Sequence, residues 1–71
     1  MKIRSVRYNN RRKAFDVRTS SKQLSYPYAK AEPRPTAEDP VREAFVDREL
    51  GREAFTFILE SGAEGAVHIG S

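Results

Sequence analysis

Seven cations gather near the start of the chain: Arg4, Arg7, Arg11, Arg12, Lys13, Arg18 and Lys22. Clusters of this kind attract phosphate backbones, because each phosphate neutralised by Lys or Arg releases a condensed counterion. Tyr8, Tyr26 and Tyr28 are interleaved with them, and a ring beside a cationic groove can stack on a base. That chemistry needs the rings exposed on the face that carries the cations. The tyrosines instead share the alternation of Phe15, Val17 and Leu24, which predicts rings packed inward with hydroxyls at the rim. A charged hairpin tip also guards a sheet against edge-to-edge aggregation while binding nothing. The seven cations are therefore candidate contacts for nucleic acid or for an acidic partner.

Other chemistries find less support. His68 is the single histidine, with Glu60 and Glu64 close in sequence. A catalytic site needs several groups converging in a pocket, and a lone histidine on a terminal strand reads as a rim residue. No catalytic residue and no metal ligand is expected, and the chain is not expected to be an enzyme. Its four glycines fit no phosphate-cradling loop, so neither a nucleotide nor any other cofactor is expected. Cysteine is absent, which removes disulfides and thiolate metal sites. The acidic set Glu38, Asp39, Glu43, Asp47, Glu49 and Glu53 is interleaved with Arg42, Arg48 and Arg52 and lacks calcium-loop spacing. It reads as a solvated face, or as a surface that docks the basic half of another copy.

The net charge of +3 conceals a division. Residues 1–30 carry nine Lys and Arg against Asp16 alone, whereas residues 31–71 carry four Arg against nine carboxylates. With 71 residues the chain makes one small domain, whose core supplies roughly 3–5 kcal/mol of net stability. Seven aromatic residues spread along it provide for a compact core rather than a disordered tail. No stretch approaches the ~20 apolar residues that span a bilayer, so a soluble, cytoplasmic protein without membrane contact is expected.

The elements that must position these residues are short strands. "KIRSVRYN" alternates through Val6 and Tyr8, with Ile3 on the opposite parity, which calls for a bulge or for burial on both sides. "AFDVRT" repeats the alternation through Phe15 and Val17. "NNRRK" between them offers Asn9 and Asn10, which tolerate positive φ in a hairpin turn. "QLSYPY" is a third strand that Pro27 confines to an edge. Residues 29–40, with Pro33, Pro35 and Pro40, form a proline-rich connection, either a surface crossing or a mobile loop. Residues 41–47 read as a strand, with a short helix near 40–50 capped by Asp39 as the alternative. "AFTFILES" is apolar on both parities, as in a central strand covered on two faces. It forms a hairpin, 54–60 with 65–69, closed by "SGAEG". No internal repeat is apparent. The fold expected is mainly β, a small antiparallel meander of five to six strands, with α+β as the alternative. Its parts are a basic meander (1–28), the connection (29–40) and an acidic half with a C-terminal hairpin (41–71).

"YPYAKA", "DRELGREAFTFILESG" and "EGAVHI" together resemble the N-terminal β-rich segment of a group of bacterial proteins that continue into a helix-turn-helix DNA-binding domain. The similarity runs from Tyr26 to Ile69. It implies the setting of a transcription regulator or antitoxin, in which this portion binds a protein partner, self-associates or senses something. The helices that read DNA follow the similar segment in that group, so DNA reading is not carried over to residues 1–71. The function expected is a non-enzymatic interaction or dimerisation module, paired through an exposed strand edge. The alternative is a small basic protein that binds nucleic acid through the face of residues 1–30.

Overall fold

The computed structural model describes residues 2–48, 51 and 53–69. Among the described residues six strands follow one another: β1 (Ile3–Asn9), β2 (Ala14–Thr19), β3 (Gln23–Pro27), β4 (Val41–Asp47), β5 (Ala54–Leu59) and β6 (Glu64–His68). A 3-10 turn, Tyr28–Lys30, follows β3. The strands form two antiparallel three-stranded sheets, ordered β1-β2-β3 and β4-β5-β6. The mainly β expectation holds, and residues 41–47 are a strand. Asp39 caps no helix. Its carboxylate accepts the Ser61 backbone N–H at 2.8 Å and the Ser61 hydroxyl at 2.7 Å, tying the connection to the β5–β6 turn.

The two sheets are the same meander built twice. In the first, Ile3 pairs with Thr19 and the ladder then skips Arg4, running from Ser5↔Arg18 to Asn9↔Ala14. In the second, Val41 pairs with Leu59 and the ladder skips Arg42, running from Glu43↔Ile58 to Asp47↔Ala54. The third strands match as well, Ala14↔Pro27 through Arg18↔Gln23 against Ala54↔His68 through Ile58↔Glu64. Even the bond beyond the ladder recurs: Tyr28 N–H donates to Lys13 O at 2.9 Å, and Ile69 N–H to Glu53 O at 3.0 Å. The expectation of no internal repeat is thus corrected at the level of structure. Among matched strand positions only Arg4/Arg42, Ala14/Ala54 and Phe15/Phe55 are identical, because pairing register rests on parity and bulge position rather than on residue identity.

The bulge explains Ile3. An extra residue at Arg4 resets the alternation, so that Ile3 and Thr19 both face inward and both are buried. Inward residues of the two sheets make one core from Ile3, Phe15, Val17, Tyr28, Val41, Phe55, Phe57, Leu59 and Val67. Phe15 is its hub, with ring centroids 4.8 Å from Tyr28, 4.9 Å from Phe55 and 5.1 Å from Phe57, all tilted. Each such pair contributes about 0.5–1.5 kcal/mol beyond the area it buries.

Residues 29–40 cross the surface between the halves, with Ala31 and Pro35 buried. Gly65 makes that crossing fit. A Cβ there would meet the Glu32 carbonyl oxygen and stand 2.6 Å from the Phe57 ring. The first sheet has Leu24 at the matching position, so the connection occupies in the second half the space a side chain fills in the first.

Candidate interaction surfaces

The hairpin tip is built by its asparagines in separate ways. Asn9 Oδ1 accepts the backbone N–H groups of Arg11 and Arg12 at 3.1 and 3.0 Å, an Asx turn that starts the loop. The left-handed position falls on Lys13, at φ 57°, not on either asparagine. Asn10 instead reaches across to β4. Its amide donates to Val41 O at 3.0 Å, while Oδ1 accepts Val41 N–H at 3.1 Å and the Tyr28 hydroxyl at 2.8 Å. One side chain thereby stands in for a strand partner on the seam between the sheets. Burial pushes the Tyr28 phenol up from 10.0 to about 12, so the hydroxyl remains a donor to Asn10 at all ordinary pH.

The seven cations are not brought to one place. Arg7 and Arg18 stand on the outward face of the first sheet, in the rows Arg7–Asp16–Ser25 and Ser5–Arg18–Gln23. Arg12 lines a shallow depression with Asp16, Gln23 and Ser25 beside them. Arg11 and Lys13 belong to the tip, and Lys13 lines a cleft of about 320 Å³ with Asn10, Tyr28, Pro35 and Thr36. Lys22 lies in the β2–β3 turn at the far end of β2, where Thr19 Oγ1 accepts its N–H at 3.0 Å. Arg4 is the bulge residue, near Phe45, Val46 and Arg48 on the seam.

Two of the three tyrosines do not join the outward cations. Tyr28 is buried. Tyr26 is half-buried, with its hydroxyl donating to Lys30 O at 3.0 Å. Tyr8 is 43% exposed, yet it pairs with Phe15 and so belongs to the core-facing side. Tyr26 and Tyr28 thus pack against the core as expected, whereas Tyr8 stays exposed outside it and lines a shallow depression with Arg7 and Asp16. His68 is exposed on β6, and no group of three metal-ligating side chains occurs among the described residues. Within the acidic set Glu38, Glu43 and Glu53 are exposed and Asp39 and Asp47 half-buried, while Glu49, like Arg52, lies outside the described residues.

A surface that sequence reasoning missed lies on the outward side of the second sheet. Its rows are Glu43–Ile58–Glu64, Phe45–Thr56–Ala66 and Asp47–Ala54–His68. Phe45 is 44% exposed, Ala66 is exposed, and Thr56 and Ile58 are half-buried. The apolar double parity of "AFTFIL" led to the expectation of two covering layers. Within the described residues only one side of β5 is fully covered: Phe55, Phe57 and Leu59 are buried against the first sheet, while on the other side Ala54 is buried and Thr56 and Ile58 are half-buried. The signal for this surface was present in that double parity. Comparison with protein-family models, with characterised proteins and with solved structures found no match for the chain. No helix of the described residues is long and apolar enough to cross a membrane.

Proposed function

We propose that the chain is a non-enzymatic protein-interaction module, of the kind its resemblance places beside a bacterial DNA-binding domain. The observation that carries this reading is the outward face of β4-β5-β6, where exposed Phe45 and Ala66 flank half-buried Thr56 and Ile58 without a further covering layer among the described residues. Contiguous exposed apolar side chains rimmed by polar ones mark sites where another molecule docks. A photo-crosslinking residue placed at Ala66 tests it, with Ser25, the matching position of the first sheet, as control. A discrete protein adduct in cells at position 66 and none at 25 is expected. Adducts at neither position, or equal adducts at both, refute the reading.

Nucleic-acid binding is the second reading, favoured by Arg7 and Arg18 on one face with Arg12 at its margin. It requires affinity for a random duplex or single strand that falls steeply as salt rises. No affinity at low salt would sink it. Dimerisation through an exposed strand edge, β3 or β6, is the third, and sedimentation at tens of micromolar decides it: a strict monomer excludes that mechanism.

A further inference from the structure

The duplication supplies an internal control for what the fold itself requires. At most inward positions the halves agree in kind, Ile3 with Val41, Phe15 with Phe55 and Val17 with Phe57, and the exception is buried Thr19 against Leu59. On the outward faces they diverge at matched positions. Arg7 stands where the second sheet has Phe45, Arg18 where it has Ile58, Asp16 where it has Thr56, and Ser25 where it has Ala66. The first sheet proves that this backbone tolerates charged and polar groups at all four positions. Apolar Phe45, Ile58 and Ala66 on the second sheet are therefore not a demand of the fold.

Resting on the interaction-module reading, we infer that this face receives a cationic amphipathic helix of about three turns from a partner protein. Three strands span roughly 10 Å between the outer two, and strands of this length run ~17–20 Å. A helix is ~10–12 Å wide and rises 1.5 Å per residue, so some 11–13 residues cover the face. A helix lying along β5 sits over Thr56 and Ile58 with Phe45 and Ala66 at its sides, and Glu43 and Glu64 flank it on either strand. Those two carboxylates ask for Lys or Arg along both borders of the apolar stripe. At the seam Arg4 and Arg48 lie beside Phe45, so the cations of the helix gather towards the Ile58 row rather than that corner.

A second copy of this chain fits less well. Its first-sheet face brings only Ala14 and Pro27 as apolar groups, and its second-sheet face sets Glu43 and Glu64 against like charges.

The probe is a capped 14-residue Leu/Ala/Lys peptide, with Leu at helical spacing i, i+3, i+4, i+7 and Lys on both borders. Its twin carries Glu in place of Lys. Amide shifts of the isotope-labelled chain are expected to saturate with the Lys peptide, to gather on β4–β6, and to weaken with salt. The Glu twin, and the double variant Phe45→Arg/Ile58→Arg, should each bind at least ~10-fold more weakly, a difference of about 1.4 kcal/mol. That variant copies the first sheet, and its dispersed spectrum reports that it folds. Ala66→Arg, at an exposed position, gives the same loss should the double variant fail to fold. Equal binding by the Glu twin, shifts on the first sheet, or undiminished binding by the folded variants overturn the inference. So does self-association that Ala66→Arg abolishes. Crosslinking at position 66 with no binding of the Lys peptide leaves the module standing and removes the helix. Failure of both removes both.

Discussion

Replacing Asn10 by Ala removes three hydrogen bonds at once: those to Val41 O, from Val41 N–H and from the Tyr28 hydroxyl. A typical net contribution is about 1 kcal/mol per bond. Water reaches Asn10, which is exposed, and can replace the two backbone bonds in part. The Tyr28 hydroxyl belongs to a buried residue and loses its acceptor, a cost of about 1–3 kcal/mol. The sum expected is about 2–3 kcal/mol, a large part of what a domain of this size possesses. At roughly 4–8 °C per kcal/mol for a small domain, Tm falls by about 10–20 °C in a thermal melt followed by circular dichroism. Asn10→Asp keeps both acceptor roles but turns an oxygen towards Val41 O, so it does not rescue. A cycle with Tyr28→Phe isolates the phenol bond, and the two losses should fall short of additive by about 1 kcal/mol. A drop below 3 °C for Asn10→Ala, or strict additivity with Tyr28→Phe, would refute the view that Asn10 closes the seam.

Three further outcomes are expected. Because the folded Tyr28 phenol titrates near 12 rather than 10.0, its contribution is intact below pH 10 and is lost as pH rises towards 12. Urea melts should show a fall of up to about 2–3 kcal/mol across that window, and Tyr28→Phe should flatten it. Lys13→Gly relieves a left-handed backbone at φ 57° and should raise stability by about 1 kcal/mol, whereas a loss would mean that the lysine side chain holds the cleft together. Gly65→Ala drives a methyl into the Glu32 carbonyl and the Phe57 ring, and should cost about 1–3 kcal/mol in a denaturant titration. An unchanged midpoint would show that residues 29–40 give way freely.

Much of the architecture could be read from residue order. Alternation through Val6, Tyr8, Phe15 and Val17 gave the first hairpin, Pro27 marked an edge, and the misplaced parity of Ile3 signalled its bulge. The misses have physical causes. Asp39 beside Pro40 looks like a helix start, but the partner that claims its carboxylate, Ser61, lies 22 residues away and leaves no local trace. Asn9 and Asn10 looked interchangeable in a turn, whereas one caps the loop and the other bridges the sheets. The outward side of β5 was legible as apolar, yet periodicity reports hydrophobicity and not that Thr56 and Ile58 are only half-buried there. Parity put Tyr26 and Tyr28 against the core, but Tyr8 on the same parity stays exposed, because parity does not say how near the margin a ring stands.

The repeated meander also bears on how the chain reaches its fold. Every ladder joins strands adjacent in sequence, and the widest pairing, Val41 with Leu59, spans 18 residues. Each half can therefore zip from its own turns, without waiting for a distant segment to diffuse into place. The longer search is the docking of the halves, in which β1 meets β4 and Phe15 of β2 meets Phe55 and Phe57 of β5. For an all-β protein this is a short search, and it places the kinetic decision at the seam that Asn10 closes.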